Sequence, residues 1–194
     1  MPDEARAKSA EVAVFTKVVE ADAAPFIQGF GLGALHALTP IAEGVENTNY
    51  RIDTAGGRFV LTLFEGRTDA ASLPFCLGLT DHLAGAGYPA ARPVRDRTGG
   101  WIGELNGRPA AVIDWLPGAW LREPSGADRA AAGAMLARLH LAAANFAGRR
   151  ENPVGPAQWR ALADRCATAA SGEDRVLLDG VEAALRQLGD PWSD

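Results

Sequence analysis

The sequence predicts an α+β fold: a mostly β, helix-bearing lobe up to about residue 114, then a segment made of helices alone. Three observations carry this reading. Short extended runs, "RFVLTLFE" (58–65) the most apolar of them, crowd the first half. Glycine-bearing turns separate these runs, with Gly56-Gly57 ahead of that strand and Asn106-Gly107 further on. From Ser125 the apolar residues recur at helical spacing, and no strand pattern follows Leu116.

Taken in order, "VAVFTKVV" (12–19) alternates weakly and predicts a short strand. "EADAAPFIQGFGLG" (20–33) has helical spacing and ends in glycine, a helix with its C-terminal stop. "ALHALTPIAEG" and "NTNYRIDT" predict two extended segments around a loop that contains Gly44. The near-continuous apolar run of 58–65 suits a central strand. Thr68 to Ala86 is predicted helical, with Leu73, Leu77, Leu79 and Leu83 among its apolar positions and Pro74 tolerated in the first turn. After a proline- and glycine-rich connection, "WIGELNG" and "RPAAVIDWLPG" form a hairpin turning at Asn106-Gly107. "SGADRAAAGAMLARLHLAAANF" predicts a long amphipathic helix capped by Ser125 or Asp128, and "GPAQWRALADRCATAA" and "EDRVLLDGVEAALRQL" predict two more.

Composition narrows the function classes. At 194 residues the chain is long enough for a real core. A net charge of −5 argues against nucleic acid or an anionic membrane as main partner. No run of about 18 apolar residues is present to span a bilayer. The first residues mix charges and lack a secretion segment, so a cytoplasmic location is expected. Cys76 and Cys166 lie far apart and outside any metal-type pair, and read as unbridged thiols. Lys8 and Lys17 are the only lysines, so a site further along the chain must do without one.

Taken alone, "IAEGVENTNY" (41–50) is a turn with one glycine. Gly44 would let backbone amides approach phosphate oxygens, and Asn47 and Asn49 would add uncharged donors. Glu43 and Glu46 would repel a polyphosphate unless they point away or act through a metal. The order of elements sharpens the reading. A glycine-bearing hairpin, an apolar third strand, a helix, a second hairpin, a linker and a helical segment follow the plan of a protein-kinase-like N-lobe and its hinge. "PIAEGVENTNYRI", "GRFVLTLFE", "LPFCLGLTDHL", "NGRPAAVIDWLPG" and "AGAMLARLHLAAANF" together resemble the homoserine kinases of the aminoglycoside-phosphotransferase-like superfamily, over roughly residues 11 to 194.

The resemblance implies transfer of the ATP γ-phosphoryl group to L-homoserine, with Mg as the accompanying metal. It implies an N-lobe over 1–114, a hinge over 115–124 and the first helices of a C-lobe over 125–194. Gly44, Val45, Asn47 and Asn49 would then belong to the phosphate-covering loop. Val60 and Leu116 would flank the adenine, and the backbone of Ile113, Asp114 and Trp115 would be its hydrogen-bonding edge. Val60, Ile113 and Leu116 read equally well as core residues. Trp120 and Arg122 would border the substrate. Acceptors other than homoserine (an aminoglycoside, choline or another small alcohol) and a non-catalytic nucleotide-binding module remain alternatives.

Two departures from the family pattern stand out. Thr62 occupies the third-strand register where kinases carry a phosphate-pairing lysine. Arg51 or Arg58 would bring the charge instead, Arg58 first because it alternates in step with Val60 and Thr62, and each also reads as a solvated surface arginine. The second departure is larger. The family's catalytic His-x-Asp motif and its later metal-binding Asp have no counterpart around His36, His82 or His140. Asp190 and Asp194 lie in a polar tail. The chain is therefore expected to be C-terminally truncated and inactive alone, with its catalytic and metal residues beyond Asp194 and with apolar surface exposed on its helices. His140 is read as a helix-packing or hydrogen-bonded structural residue, and the five tryptophans as packing residues.

Overall fold

Why five strands and a helix form one layer on another is visible in strand β2 (Thr48–Thr54), whose residues alternate between buried and half-buried without a break. In the computed structural model, which describes residues 14–42, 44, 46–66, 69–119, 121–152 and 155–188, β2 lies between β1 (Leu35–Ile41) and β3 (Gly57–Leu63). Strands β4 (Gly103–Leu105) and β5 (Arg108–Asp114) complete an antiparallel sheet of order β1-β2-β3-β5-β4. The β2–β3 turn pairs Thr54 with Gly57, which leaves a two-residue loop and sets the register of the whole pair. The β4–β5 turn has Asn106 at φ 50° and Gly107 at φ 72°, the left-handed pair that a tight hairpin demands.

One face of the sheet is the core. Tyr50, Ile52, Leu61, Leu63, Ala110, Val112 and Leu105 are buried there, and helix α1 (Glu20–Gln28) covers them with Ala23 and Ile27. The Phe26 and Phe30 rings meet at 5.1 Å, within the range of favourable ring contacts. A Cβ on Gly103 would lie 2.8 Å from the Phe26 ring, so only glycine lets β4 pass under the helix.

The predicted strand over 12–19 does not form across its described residues, Val14–Val19, which run as irregular chain. The physical reason is that side chains take its amides before a neighbouring strand can. The Phe15 and Thr16 N–H groups donate to Thr48 Oγ1 at 2.9 and 3.1 Å, and Val18 N–H donates to the Tyr50 hydroxyl at 3.0 Å. The other elements stand close to their predicted places. A 3-10 turn (Ala70–Ser72) leads into α2 (Leu73–Gly85), which buries Leu73, Leu77 and Leu83, with Leu79 half-buried.

Beyond α2, Arg92 O accepts from Asp114 N and Val94 N donates to Val112 O, both at 2.8 Å, so this connection extends the pairing of β5 beyond β4. Asp81 on α2 anchors the same connection through Arg92 and Arg95 at 2.6 and 3.3 Å. Helix α3 (Gly126–Ala143) starts on a Ser125–Asp128 capping box and joins α2 where His82 Nε2 meets the Ala142 carbonyl at 3.0 Å. The Phe75 and Phe146 rings, 5.6 Å apart, lie beside that bond. Leu136 and Leu141 on α3 are exposed, as expected of these helices. His140, read as a packing or hydrogen-bonded residue, is exposed in the last helical turn, where a basic side chain suits the helix C-terminus.

The chain divides into two compact units, Met1–Arg149 and Arg150–Asp194. The second holds α4 (Pro156–Ala167) and α5 (Gly172–Leu188), which bury Ala163 and Leu178. Among the described residues no helix is long and apolar enough to cross a membrane. Cys76 is half-buried in α2 and Cys166 exposed in α4.

Candidate functional site

The sheet face opposite α1 carries Asn49, Arg58, Val60, Thr62 and Ile113 of the predicted site, and the strand register arranges them in three rows. Residues directly opposite one another on antiparallel strands point to the same side. The first row, nearest the β1–β2 loop, is Ile41, Asn49, Thr62 and Ala111. The second is Thr39, Arg51, Val60 and Ile113. The third is Ala37, Asp53 and Arg58. Each row is about 7 Å from the next, two residues of strand rise.

Of the loop, Gly44 lies beside the first row. Gly44 has φ 138°, a conformation that side chains other than glycine's resist. A Cβ placed on it would lie 3.8 Å from Asn49 Nδ2 and 3.9 Å from the Asn47 carbonyl. Glu43 and Val45 fall outside the described residues. The Asn47 side-chain oxygen accepts from Glu65 N–H at 3.3 Å, which ties the end of the loop to the end of β3. Thr62 is buried, and its hydroxyl donates to Asn49 Oδ1 at 2.8 Å.

The arginines gather at the other end. Asp53 accepts from Arg58 Nε at 2.7 Å and from Arg51 Nε at 3.2 Å. The hydrogen bond from Arg58, reinforced by the charge of both arginines, holds the Asp53 carboxyl below its ordinary range. Arg58 also lies over the Trp115 ring at 5.7 Å, within cation–π range. It stands about 13 Å along the strand from Thr62, at the Trp115 end of the face. Arg51 reaches Thr39 Oγ1 at 3.5 Å from the middle row.

Of the predicted adenine edge, the Asp114 N–H is already given to the Arg92 carbonyl. Trp115 and Leu116 follow as exposed residues and Ile113 is half-buried. Trp120 falls outside the described residues. Among the described residues no three His, Cys, Asp or Glu side chains converge as metal ligands. The one carboxylate in the three rows, Asp53, is held by two arginines. The face as described does not fit a magnesium site.

One residue of consequence escaped the sequence reading. Glu65, just past β3, is buried on the core side and accepts from Thr48 Oγ1 at 2.7 Å, Thr16 Oγ1 at 3.1 Å and Arg108 Nε at 3.1 Å. The Thr48 hydroxyl in turn takes the two backbone amides from Phe15 and Thr16, so its single proton and both lone pairs are used. This network fixes the start of β2, where the loop ends. Its only trace in the sequence is an acidic residue closing an otherwise apolar strand.

Comparison with known proteins bears on the whole arrangement. The chain is 44% identical over 181 residues to a homoserine kinase of Nitrobacter winogradskyi, covering 93% of this chain and 56% of that protein. It is 43% identical over 180 residues to one of Acidiphilium cryptum (89% and 56% covered), and 40% identical over 181 residues to one of Caulobacter vibrioides (93% and 57% covered). The chain thus spans little more than half the length of the curated relatives it matches. Residues 37–193, from the middle of β1 to beyond α5, match the model of one family throughout, and the chain belongs to that family, the phosphotransferase enzymes.

Proposed function

We propose that this chain forms the nucleotide-covering part of an ATP-dependent kinase whose acceptor is L-homoserine. The observation that carries the nucleotide reading is the three-rowed face: a glycine-bearing loop over polar donors at one end and the exposed hinge at the other. The acceptor rests on the names of the relatives. In this reading the Gly44 loop and Asn49 hold the phosphates, Val60 and Ile113 floor the adenine, and the backbone of Trp115 offers its edge. Arg58 steadies Trp115 at the hinge end.

In the reaction the bond between the γ-phosphorus and the β–γ bridging oxygen breaks, and a bond to the homoserine hydroxyl oxygen forms. The hydroxyl proton must leave to a base, and the charge on the phosphates must be matched by metal ions in most such sites. The three rows furnish neither, since their one carboxylate, Asp53, is held by two arginines. What this face supplies is position: it fixes the phosphates against the loop and keeps the adenine at the hinge. We infer that the transferring residues correspond to the part of the relatives that this chain does not span, and that the chain alone binds nucleotide without turning it over.

Calorimetry of the 194-residue chain with Mg-ATP, beside a coupled assay for homoserine-dependent ADP release, tests both statements. Binding without turnover is the expected result. Absence of any nucleotide binding would overturn the reading of the face. ADP release that depends on homoserine, above a control preparation, would overturn the inference of inactivity. Release that depends on choline or an aminoglycoside instead would transfer the chain to a different acceptor class.

A further inference from the structure

A loop that covers a polyphosphate must bring donors to it, and the row nearest this loop contains no charged side chain. Ile41, Asn49, Thr62 and Ala111 make up that row. The two polar members are bonded to each other, Thr62 Oγ1 donating to Asn49 Oδ1 at 2.8 Å. On its other side the Asn49 amide nitrogen donates to the Asn47 carbonyl at 3.4 Å. These two contacts decide which way the amide faces. Turned over, it would set its oxygen against the Asn47 carbonyl and lose a partner for that oxygen. The nitrogen therefore faces the loop, beside the place that Gly44 leaves open, where a Cβ would lie 3.8 Å from it. A bond of 3.4 Å is long for an amide donor, so its protons remain available to a stronger acceptor.

Building on the nucleotide reading above, we propose that Thr62 and Asn49 act as one neutral donor unit for ATP phosphate oxygens, Asn49 touching the phosphate and Thr62 acting as its positioning residue. The unit stands at the register where a lysine would otherwise supply a charge. Burial of Thr62 is what makes this work: a hydroxyl shielded from water has one partner to give its proton to, and that partner is held. Arg58, two rows away and committed to Asp53 and Trp115, serves the other end of the nucleotide. A neutral donor also has a signature of its own, because its contribution to binding is much less sensitive to salt than that of an ion pair.

The test compares Thr62→Val, which keeps the shape and deletes the hydroxyl, with Thr62→Ser, which keeps the hydroxyl. Each is measured in the whole chain against three probes: ATP, tripolyphosphate and adenosine. Thr62→Val is expected to weaken ATP and tripolyphosphate about tenfold, Thr62→Ser by no more than about twofold, and adenosine binding is expected to stay level in both. The Asn49 side-chain amide pair in a 1H–15N spectrum should shift in Thr62→Val and remain in place in Thr62→Ser. Equal weakening of adenosine and ATP would mean that Thr62 is merely structural and would overturn the proposal. So would unchanged ATP binding in Thr62→Val, or an affinity of the wild-type chain for tripolyphosphate that collapses with salt as an ion pair's would. Wild-type binding of adenosine with no gain from the phosphates defeats this proposal alone; binding of no probe at all defeats the nucleotide reading with it.

Discussion

Glu65→Ala should be among the most damaging single changes outside the apolar core. The carboxylate is 8% exposed and accepts from two hydroxyls and one guanidinium. Each hydroxyl bond contributes about 1 kcal/mol net. The ion pair with Arg108 needs discounting, since that arginine's side chain is 43% exposed, and is worth about 1 kcal/mol at most. Losing the buried stem of the side chain adds about 1 kcal/mol. A loss of about 3 to 4 kcal/mol follows, a large part of the stability of an ordinary domain. Glu65→Gln keeps the shape and one acceptor oxygen and should lose about half as much. Urea unfolding followed by tryptophan fluorescence and circular dichroism measures both. A Glu65→Ala loss under about 1 kcal/mol, or one no larger than that of Arg108→Ala, would refute the reasoning, because the hydroxyl network would then contribute nothing.

Thr48→Val strips the partner from two backbone amides and should lose about 2 to 3 kcal/mol, with faster hydrogen exchange at Phe15 and Thr16 as the direct check. Gly33→Ala meets both a φ of 79° and a Cβ–Cβ approach of 2.8 Å to Ala55, and should lower thermal stability by about 1 to 3 kcal/mol. The carboxyls of Asp53, Asp96 and Asp128 are all held below their ordinary value of 3.8, chiefly by hydrogen bonds from Arg58, Thr98 and Ser125 respectively. Their folded values lie below the unfolded ones, so the stability they contribute is in place above pH 3.8 and is lost as the pH falls through the lowered values. Arg58→Ala should return the Asp53 titration towards 3.8, measured by its carboxyl carbon shift.

The sheet was legible because its signals are local. Alternation in β2, the apolar run of β3 and the Asn106-Gly107 turn each depend on a few neighbouring residues. Counting by two from Val60 was enough to put Thr62 and Arg58 on one face, as the register has them. What Arg58 does there was not legible. Its partner Asp53 is set by the length of the β2–β3 turn, and its contact with Trp115 joins residues 57 apart in the chain. The same limit explains the segment over 14–19, whose weak alternation looks like a strand. Its amides are claimed by Thr48 and Tyr50, more than 30 residues away, and no pattern within the segment could announce that. Glu65 is illegible for a related reason: an acidic residue at a strand end usually faces water, and only its three partners reveal that it does not.

The Asn106-Gly107 turn also gives the protein a chemical clock. Its amide nitrogen donates to the Lys17 carbonyl at 3.0 Å and to Asp22 Oδ2 at 3.1 Å, binding the hairpin to the start of α1. A glycine after asparagine leaves the following backbone nitrogen unhindered for attack on the side-chain amide, the first step of deamidation. The carboxylate that results has only acceptors to present, and it would face a carbonyl and a second carboxylate. The dipeptide that makes the tight turn possible is thus where ageing of the molecule would first set like charges against each other.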